Sequence, residues 1–470
     1  MPPQLAALFY LAIVFWLFRR DFRERPSVTG ALWLPFFWII IGGTRFFSGW
    51  LAVFGINLGG ASVEEGSPVD AVVFFALIAG GLYVLRRRQV DWSEFMRRNR
   101  WVTIYLAYCL IAVVWSDFPF VSVKRWIKLF GQPVMVLVLL TEPDPVEAFT
   151  HLLKRFAYVV VPISILFIKY FPQWGSCYDI WNGQRMNTGI TTDKNALGCD
   201  CFVLSLFFVW HFLRVRRLEK GRERTTELFL CLVFLGSLGW LLYTAHSSTP
   251  IGALGLALVM LWFLGLKFVD RRQLGGYLVA VIAVCAVAEF AFDLHKTLIH
   301  LLGRNEDLTG RTEIWQVLLH WDINPFLGVG FESFWLGSRL DKLAELMPGL
   351  ILNEAHNGYL ETYIQIGLVG LFITLAMLLA TYFKAHRALL DDFDFGRFRL
   401  AYLAGFIVYN WTEAAFRTHC FPFFMFFLIA IDYSVWPQFE PAAVASIEAA
   451  DEEILDGVHK DDMSPNGSTV

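Results

Sequence analysis

Residues 250–268 read PIGALGLALVMLWFLGLKF, and Lys267 is the single charge among them. A helix needs about 20 mostly apolar residues to cross the hydrocarbon core of a bilayer, and this run meets that length. Working outward with the same ruler, further candidates fall near 4–18, 31–54, 70–85, 101–116, 124–141, 156–170, 197–213 and 227–244. On the other side they fall near 275–293, 359–383, 399–416 and 420–436. The pattern predicts an all-α integral membrane protein of about 12–13 transmembrane helices. Composition agrees, with 56% hydrophobic against 17% charged residues and a mean hydropathy of +0.52, which excludes a water-soluble fold. A net charge of -3 gives no support to a nucleic-acid partner, so the charges have to be read by position.

Alternating the loops places Arg86, Arg87, Arg88, Arg97, Arg98 and Arg100 on the same side as Arg214, Arg216, Arg217, Lys220, Arg222 and Arg224. Lys267, Arg271, Arg272, Lys384, Arg387, Arg397 and Arg399 fall on that side too, and the positive-inside rule names it cytoplasmic. The expected location is a bacterial inner membrane, with the N-terminus periplasmic and the C-terminus cytoplasmic. The first span has no basic residue before it and is followed by Arg19, Arg20, Arg23 and Arg25, which reads as a retained anchor.

The expected organisation is a transmembrane bundle over 1–436, a large outer loop at 294–358 within it, and an acidic disordered tail at 437–470 carrying Asp451, Glu452, Glu453, Asp456, Asp461 and Asp462. The outer loop is rich in Trp, Phe, Leu and Gly, which suits short helices on the membrane surface better than disorder. A second long outer segment spans 171–196. Cys109, Cys199, Cys201, Cys231 and Cys285 sit in apolar runs as small hydrophobes, and the Cys199/Cys201 spacing is not read as a metal site. Cys177 and Cys420 lie near the outer surface, where a bridge between them is conceivable.

With the cytoplasmic basic residues set aside, the outer half keeps Lys124, Arg125, Lys128, Lys169, Arg185, Lys194, Lys296, Arg304, Arg311, Arg339, Lys342 and Arg417. Cations within helix ends, Arg125 and Lys128 above all, are costly unless they face an anion or a watery cavity, and a diphosphate would suit them. Snorkelling to lipid headgroups is the plainer reading for any one of them. Arg311, in LTGRTEIW, stands at an expected helix start after Gly310, where a guanidinium and backbone N–H groups can hold phosphate oxygens; an exposed loop arginine would read the same way. Gly328 and Gly330, in NPFLGVGFESFW, allow a tight backbone path against a ligand or a neighbouring helix. His356, in EAHNGYLETYIQIGLVG, lies where the long loop meets the next span. An imidazole there suits proton removal from a sugar hydroxyl, although a helix-capping histidine would occupy the same place. Asn357 and Glu361 are placed to orient it.

The spacing His356, Asn357, Gly367, Gly370 resembles the histidine signature of the O-antigen ligase and polymerase superfamily. Gly310, Arg311 and Trp315 followed by Gly328, Gly330 and Phe334 resemble its outer-loop segment, and GITTDKNALG, with Lys194, Asn195 and Gly198, is similar to the exopolysaccharide-polymerase branch. The likeness covers about residues 120–430. The resemblance implies a metal-independent, inverting glycosyl transfer without a cofactor, from an undecaprenyl-diphosphate-linked oligosaccharide to a glycan acceptor at the periplasmic face. It makes His356 the base and Arg311 a diphosphate clamp, with Arg185, Lys194, Arg125, Lys128 and Asn357 binding substrate. Members often carry Ser-x-Ser-Arg or Ser-x-Ser-Lys in an outer turn, whereas TAHSSTP puts Ser248 where that cation would be. Arg185, Lys194, Arg125 and His246 are the candidates to replace it.

A lipid-linked glycan transporter would also use a cationic outer cavity, but it would need ionisable groups near the midplane, for which Arg45 is the main candidate. A scaffold that recruits other polysaccharide assembly proteins would not need an ordered loop ending in a histidine. Within transferases, a ligase differs from a polymerase in its acceptor alone, and the lysine–asparagine segment favours the polymerase.

Overall fold

The computed structural model describes residues 1–24, 27–56, 66–178, 183, 185–277, 279–280, 283–284, 311–347 and 352–433. Arg25, Cys285, Lys296, Arg304, Gly310, most of the span expected at 275–293 and the acidic tail lie outside these residues. The described chain is mainly helical. Its elements are α1 (Pro3–Arg23), α2 (Trp33–Gly43), α3 (Phe47–Val53), α4 (Pro68–Arg87), α5 (Trp92–Arg98), α6 (Arg100–Ile111), α7 (Pro119–Leu140), α8 (Pro145–Tyr170) and α9 (Pro172–Gly175). A short antiparallel hairpin, β1 (Ser176–Tyr178) and β2 (Arg185–Asn187), precedes α10 (Lys194–Val215), α11 (Arg222–Ala245) and α12 (Ser248–Phe263). Then come α13 (Arg311–Leu319), α14 (Ser338–Leu346), α15 (Gly358–Asp391), α16 (Phe393–Thr412) and α17 (Phe421–Ala430).

A helix stands at each expected span that the described residues cover, and most of 275–293 lies outside them. Among the described residues five helices are long and apolar enough to cross a membrane, or six with α2 and α3 taken as one bent span, and α6, α12 and α17 are shorter apolar helices. The protein is an all-α integral membrane protein. Its centre is formed by α8 and α10, with 83% and 78% of their apolar windows buried, whereas α4, at 28%, turns most of its surface outward to lipid. All ten residues of α17, FPFFMFFLIA, are buried, as expected of a helix apolar all round. Cys177 and Cys420 are not joined in a disulfide.

Ion pairs gather the arginine-rich loops at one end of the bundle. Asp21 accepts from Arg155 (2.7 Å) and lies 2.6 Å from His151, Glu227 pairs with Arg20 (2.5 Å) and Lys154 (2.9 Å), and Arg399 pairs with Asp432 (2.8 Å).

Two breaks shape the opposite end. The first separates α2 from α3 by a 65° bend after Gly42 and Gly43. Arg45 sits at this bend and donates to the carbonyls of Trp174 (2.6 Å), Thr191 (3.1 Å) and Ile190 (3.2 Å), so it ties the 171–193 segment down. The second break lies inside α15 at Ile366 and Gly367, where Gly367 takes φ +67° and a Cβ would strike the Phe326 carbonyl. Backbone groups freed there are satisfied by the outer loop: Val329 N–H donates to Ile364 O (3.1 Å), Gly330 N–H to Gln365 O (2.8 Å) and Leu368 N–H to Pro325 O (2.9 Å). Of the two readings of Gly328 and Gly330, the structure selects close approach to a neighbouring helix.

Candidate active site

Helix ends assemble the site. Asn357 caps α15 by accepting from the N–H groups of Tyr359 and Leu360, both at 3.0 Å, and Gly358 N–H donates to the Glu413 carbonyl at the end of α16 (3.1 Å). A Cβ on Gly358 would strike Asn410, so this close joint requires glycine. His356 occupies the turn before the cap with φ +47°. Arg311, the first residue of α13, reaches across to donate to the Thr412 carbonyl and to Glu413 Oε1 (2.7 Å).

The result is a chain of alternating charges. Glu413 Oε2 lies 3.6 Å from His356 Nδ1, Glu354 Oε1 lies 2.9 Å from the same nitrogen, and Glu354 Oε2 accepts from Arg417 Nη1 at 2.5 Å. The His356 side chain is 28% exposed and Glu413 is buried. Burial opposes a charged imidazole, but the two carboxylates outweigh it and hold His356 up to about 9. Burial likewise opposes the Glu354 carboxylate, and His356 and Arg417 overcome it, holding Glu354 down to about 2. Arg417 is pushed further up, against burial, by Glu354, Glu361 and Glu332. The resting ring is therefore an imidazolium at neutral pH, with about 1% in the neutral form two units below its pKa. Donor atoms of Glu354, His356 and Glu413 all lie within 4.8 Å of one another, a spacing that a metal could use. An ion there would meet the two carboxylate oxygens that now face His356 Nδ1 and would compete with the proton on that nitrogen.

Glu354 and Glu413 form part of the wall of a cavity of about 920 Å³. Lys124, Arg125 and Lys128 of α7 line it, as do Gly42 to Thr44, Asp193, Asn195, Asp200, Glu332, Arg417 and His419. Lys128 lies over the rings of Phe74 (5.1 Å) and Phe46 (5.9 Å), and Arg125 donates to the Glu332 carbonyl. Burial, followed by Lys128, pushes His419 well below the ordinary range, so it stands there as a neutral ring. The wall also includes Val72 and Phe75 of α4, 68% and 70% exposed, and Ile127 of α7, so the cavity opens sideways onto the apolar surface of the bundle.

Of the residues expected from sequence, Arg125 and Lys128 thus meet in the cavity, while His356, Arg311 and Asn357 meet behind it, touching it through Glu354 and Glu413. Lys194 begins α10 between two wall residues, Asp193 and Asn195. Arg185 stands apart: it donates to Ser176 Oγ (3.0 Å) and the Ile168 carbonyl (3.1 Å) on the hairpin. Ser248 begins α12, and His246 ends α11 in a left-handed turn outside the wall. Arg417 lines the cavity and pairs with Glu354. Glu354, Glu413 and Glu332 were missed, although Glu354 stands two residues before His356 in the stretch that drew attention.

Residues 229–375 match the O-antigen ligase family model. Exopolysaccharide production protein ExoQ of Rhizobium meliloti (strain 1021) is 27% identical over 308 residues, which is 62% of this chain and 66% of that protein. Both likenesses point to the O-antigen ligase/polymerase superfamily. The segment matched by this superfamily's ligase model contains Arg311, Glu354, His356, Asn357 and the glycines of the α15 break. Glu413, Arg417 and the α7 cations lie beyond it, so the match spans one half of the charge cluster and the fold supplies the other.

Proposed function

We propose that the protein transfers glycan from an undecaprenyl-diphosphate carrier to the hydroxyl of another lipid-linked glycan, polymerising exopolysaccharide or O-antigen repeat units at the periplasmic face of a bacterial inner membrane. The observation that carries this reading is the cavity: it holds four cations, Lys124, Arg125, Lys128 and Arg417, among acidic side chains, is bounded by a carboxylate–imidazole cluster, and opens sideways to lipid. A soluble substrate would need no such opening. The polyprenyl tail would leave past Val72, Phe75 and Ile127, and Lys124, Arg125, Lys128 and Arg417 would receive the diphosphate.

The acceptor oxygen attacks the anomeric carbon as the bond from that carbon to the diphosphate oxygen breaks, with inversion. The hydroxyl proton passes to the neutral form of His356, which Glu354 and Glu413 make a strong base, and the cations take up the charge of the departing undecaprenyl diphosphate. Arg311 fixes Glu413, and Glu413 in turn fixes the ring, so Arg311 acts as a positioning residue in place of a direct clamp. Asn357 holds the start of α15, while Lys194 and Arg185 lie further out on the substrate's path. The same reading puts the N-terminus outside and the C-terminus inside, with residues 1–436 as the bundle, 294–358 as its outer loop and 437–470 as a cytoplasmic tail available to other polysaccharide assembly proteins.

A ligase would use the same donor site with a lipid or protein acceptor. Cells carrying His356→Ala or Arg311→Ala, with membrane levels matched and lipid-linked intermediates resolved by size, separate the readings. Loss of polymer with single repeat units left on the carrier supports polymerisation, unattached full-length chains indicate a ligase, and normal product from both variants overturns the assignment.

A further inference from the structure

A second concavity lies beside the first. It measures about 800 Å³, within the range of about 300–1,000 Å³ typical of small-molecule pockets, and it is more polar than the catalytic cavity. Asp117, His320, Asp322, Arg339 and Lys342 line it, with Trp321 as its main aromatic surface. Trp321 packs edge-to-face on Phe334 (5.7 Å, 71°), the Arg339 guanidinium lies 6.0 Å over the same Phe334 ring and is paired with Asp117, and His320 Nδ1 is 2.8 Å from the Gln316 carbonyl. Asp117, Arg339 and His320 are therefore held before anything binds.

We infer that this cleft is a subsite for the sugar chain itself, binding several rings of an oligosaccharide next to the place where the chain is extended. Its chemistry fits polyhydroxylated rings. Carboxylates accept from hydroxyls, the guanidinium and ammonium donate to ring and hydroxyl oxygens, and a rigid indole offers an apolar surface to C–H faces. Two acidic and two cationic side chains balance one another, which does not suit a strongly charged partner, and that many charges in the wall do not suit an acyl chain.

The two sites share two walls. Asp117 and Phe118 lead into α7, which then gives Val121, Lys124 and Arg125 to the catalytic cavity; at 1.5 Å per residue, Phe118 and Lys124 are about 9 Å apart along the helix. The segment after Gly330 gives Glu332 to the cavity and Leu336, Ser338 and Arg339 to the cleft, and Gly330 packs directly on Ser116. A short run of sugars passes from one to the other along a continuous surface. The inference rests on the proposed transferase reading for its biological meaning, but the binding it asserts does not depend on turnover.

The test uses full-length protein in detergent and, as probe, free oligosaccharides of two to four repeat units hydrolysed from the exopolysaccharide of the bacterium that encodes the chain. Saturation-transfer NMR detects contact and calorimetry gives affinity. The wild type binds, and the double variant Asp322→Ala/Lys342→Ala, at two exposed positions, binds at least tenfold more weakly and yields shorter polymer in cells. Glu345→Ala, exposed on α14 but outside the cleft wall, binds as the wild type does and so controls for nonspecific effects. Arg311→Ala, aimed at the chemistry, keeps oligosaccharide binding, whereas a wild-type protein that binds yet never extends a chain defeats the transferase reading and leaves the subsite standing. Equal affinity in the double variant and the wild type, or no saturation transfer to the wild type, overturns the subsite.

Discussion

Replacing Glu354 by Gln keeps the shape of the site and removes one of the two negative charges beside His356. The ring is held up from 6.5 to about 9, so the net contribution of its surroundings is about 2.5 units, or about 3.4 kcal/mol. Glu354 lies at 2.9 Å and Glu413 at 3.6 Å, so the nearer carboxylate carries at least half of it. Glu354→Gln should therefore lower the histidine by about 1 to 2 units, or about 1.4–2.7 kcal/mol. The assay is the pH–rate profile of chain extension in proteoliposomes between pH 6 and 10. With neutral His356 as the base, the wild-type rate rises with pH and levels off near 9, and the variant levels off between 7 and 8. A variant profile that stays at 9 would refute the electrostatic argument. A wild-type rate that falls through 9 would mean that His356 works as a cation, not as a base.

The same shift predicts a stability change. A histidine raised from 6.5 to about 9 stabilises the fold fully below pH 6.5, and that contribution is lost as pH rises through 9; His356→Ala should flatten this slope in thermal melts. Glu354, lowered from 4.5 to about 2, acts in the opposite window, with its contribution present above 4.5 and lost as pH falls through 2. Gly367→Ala forces a side chain into φ +67° against the Phe326 carbonyl, so it should cost about 1–3 kcal/mol and loosen the outer loop, read as a lower melting temperature and faster proteolysis after residue 324. Asp21→Asn leaves Arg155 and His151 buried without their carboxylate, at a cost of about 3–5 kcal/mol in detergent unfolding, without changing substrate affinity in the protein that remains folded.

Much of this architecture is legible in the sequence because a bilayer imposes length and polarity on each helix separately. Arg45 was legible as a buried cation, but its partners were not, since they are backbone carbonyls from a distant segment that carry no side-chain signal. The glycines at 328, 330 and 367 were visible as conformational signals. Only the docked loop shows that they answer one another across the α15 break. His356 and Arg311 stood out by chemistry and position, whereas Glu413, which joins them, looks like any acidic residue at the end of an apolar run. Its part depends on the packing of α16 against α15, a long-range fact. Arg185 shows the reverse: a cation on the expected face that local hydrogen bonds retain on a hairpin.

The central claim is that the laterally open cavity, with the α7 cations in its wall, extends glycans on a lipid carrier. Purified protein in liposomes, supplied only with undecaprenyl-diphosphate-linked repeat units, tests it most directly, with products resolved as a ladder. Wild-type protein should produce lipid-linked oligomers of increasing length, and Arg125→Ala/Lys128→Ala should lose at least tenfold in rate at low donor concentration. Repeat units that remain single with well-folded wild-type protein, or a ladder unaffected by removing both cations, would contradict it.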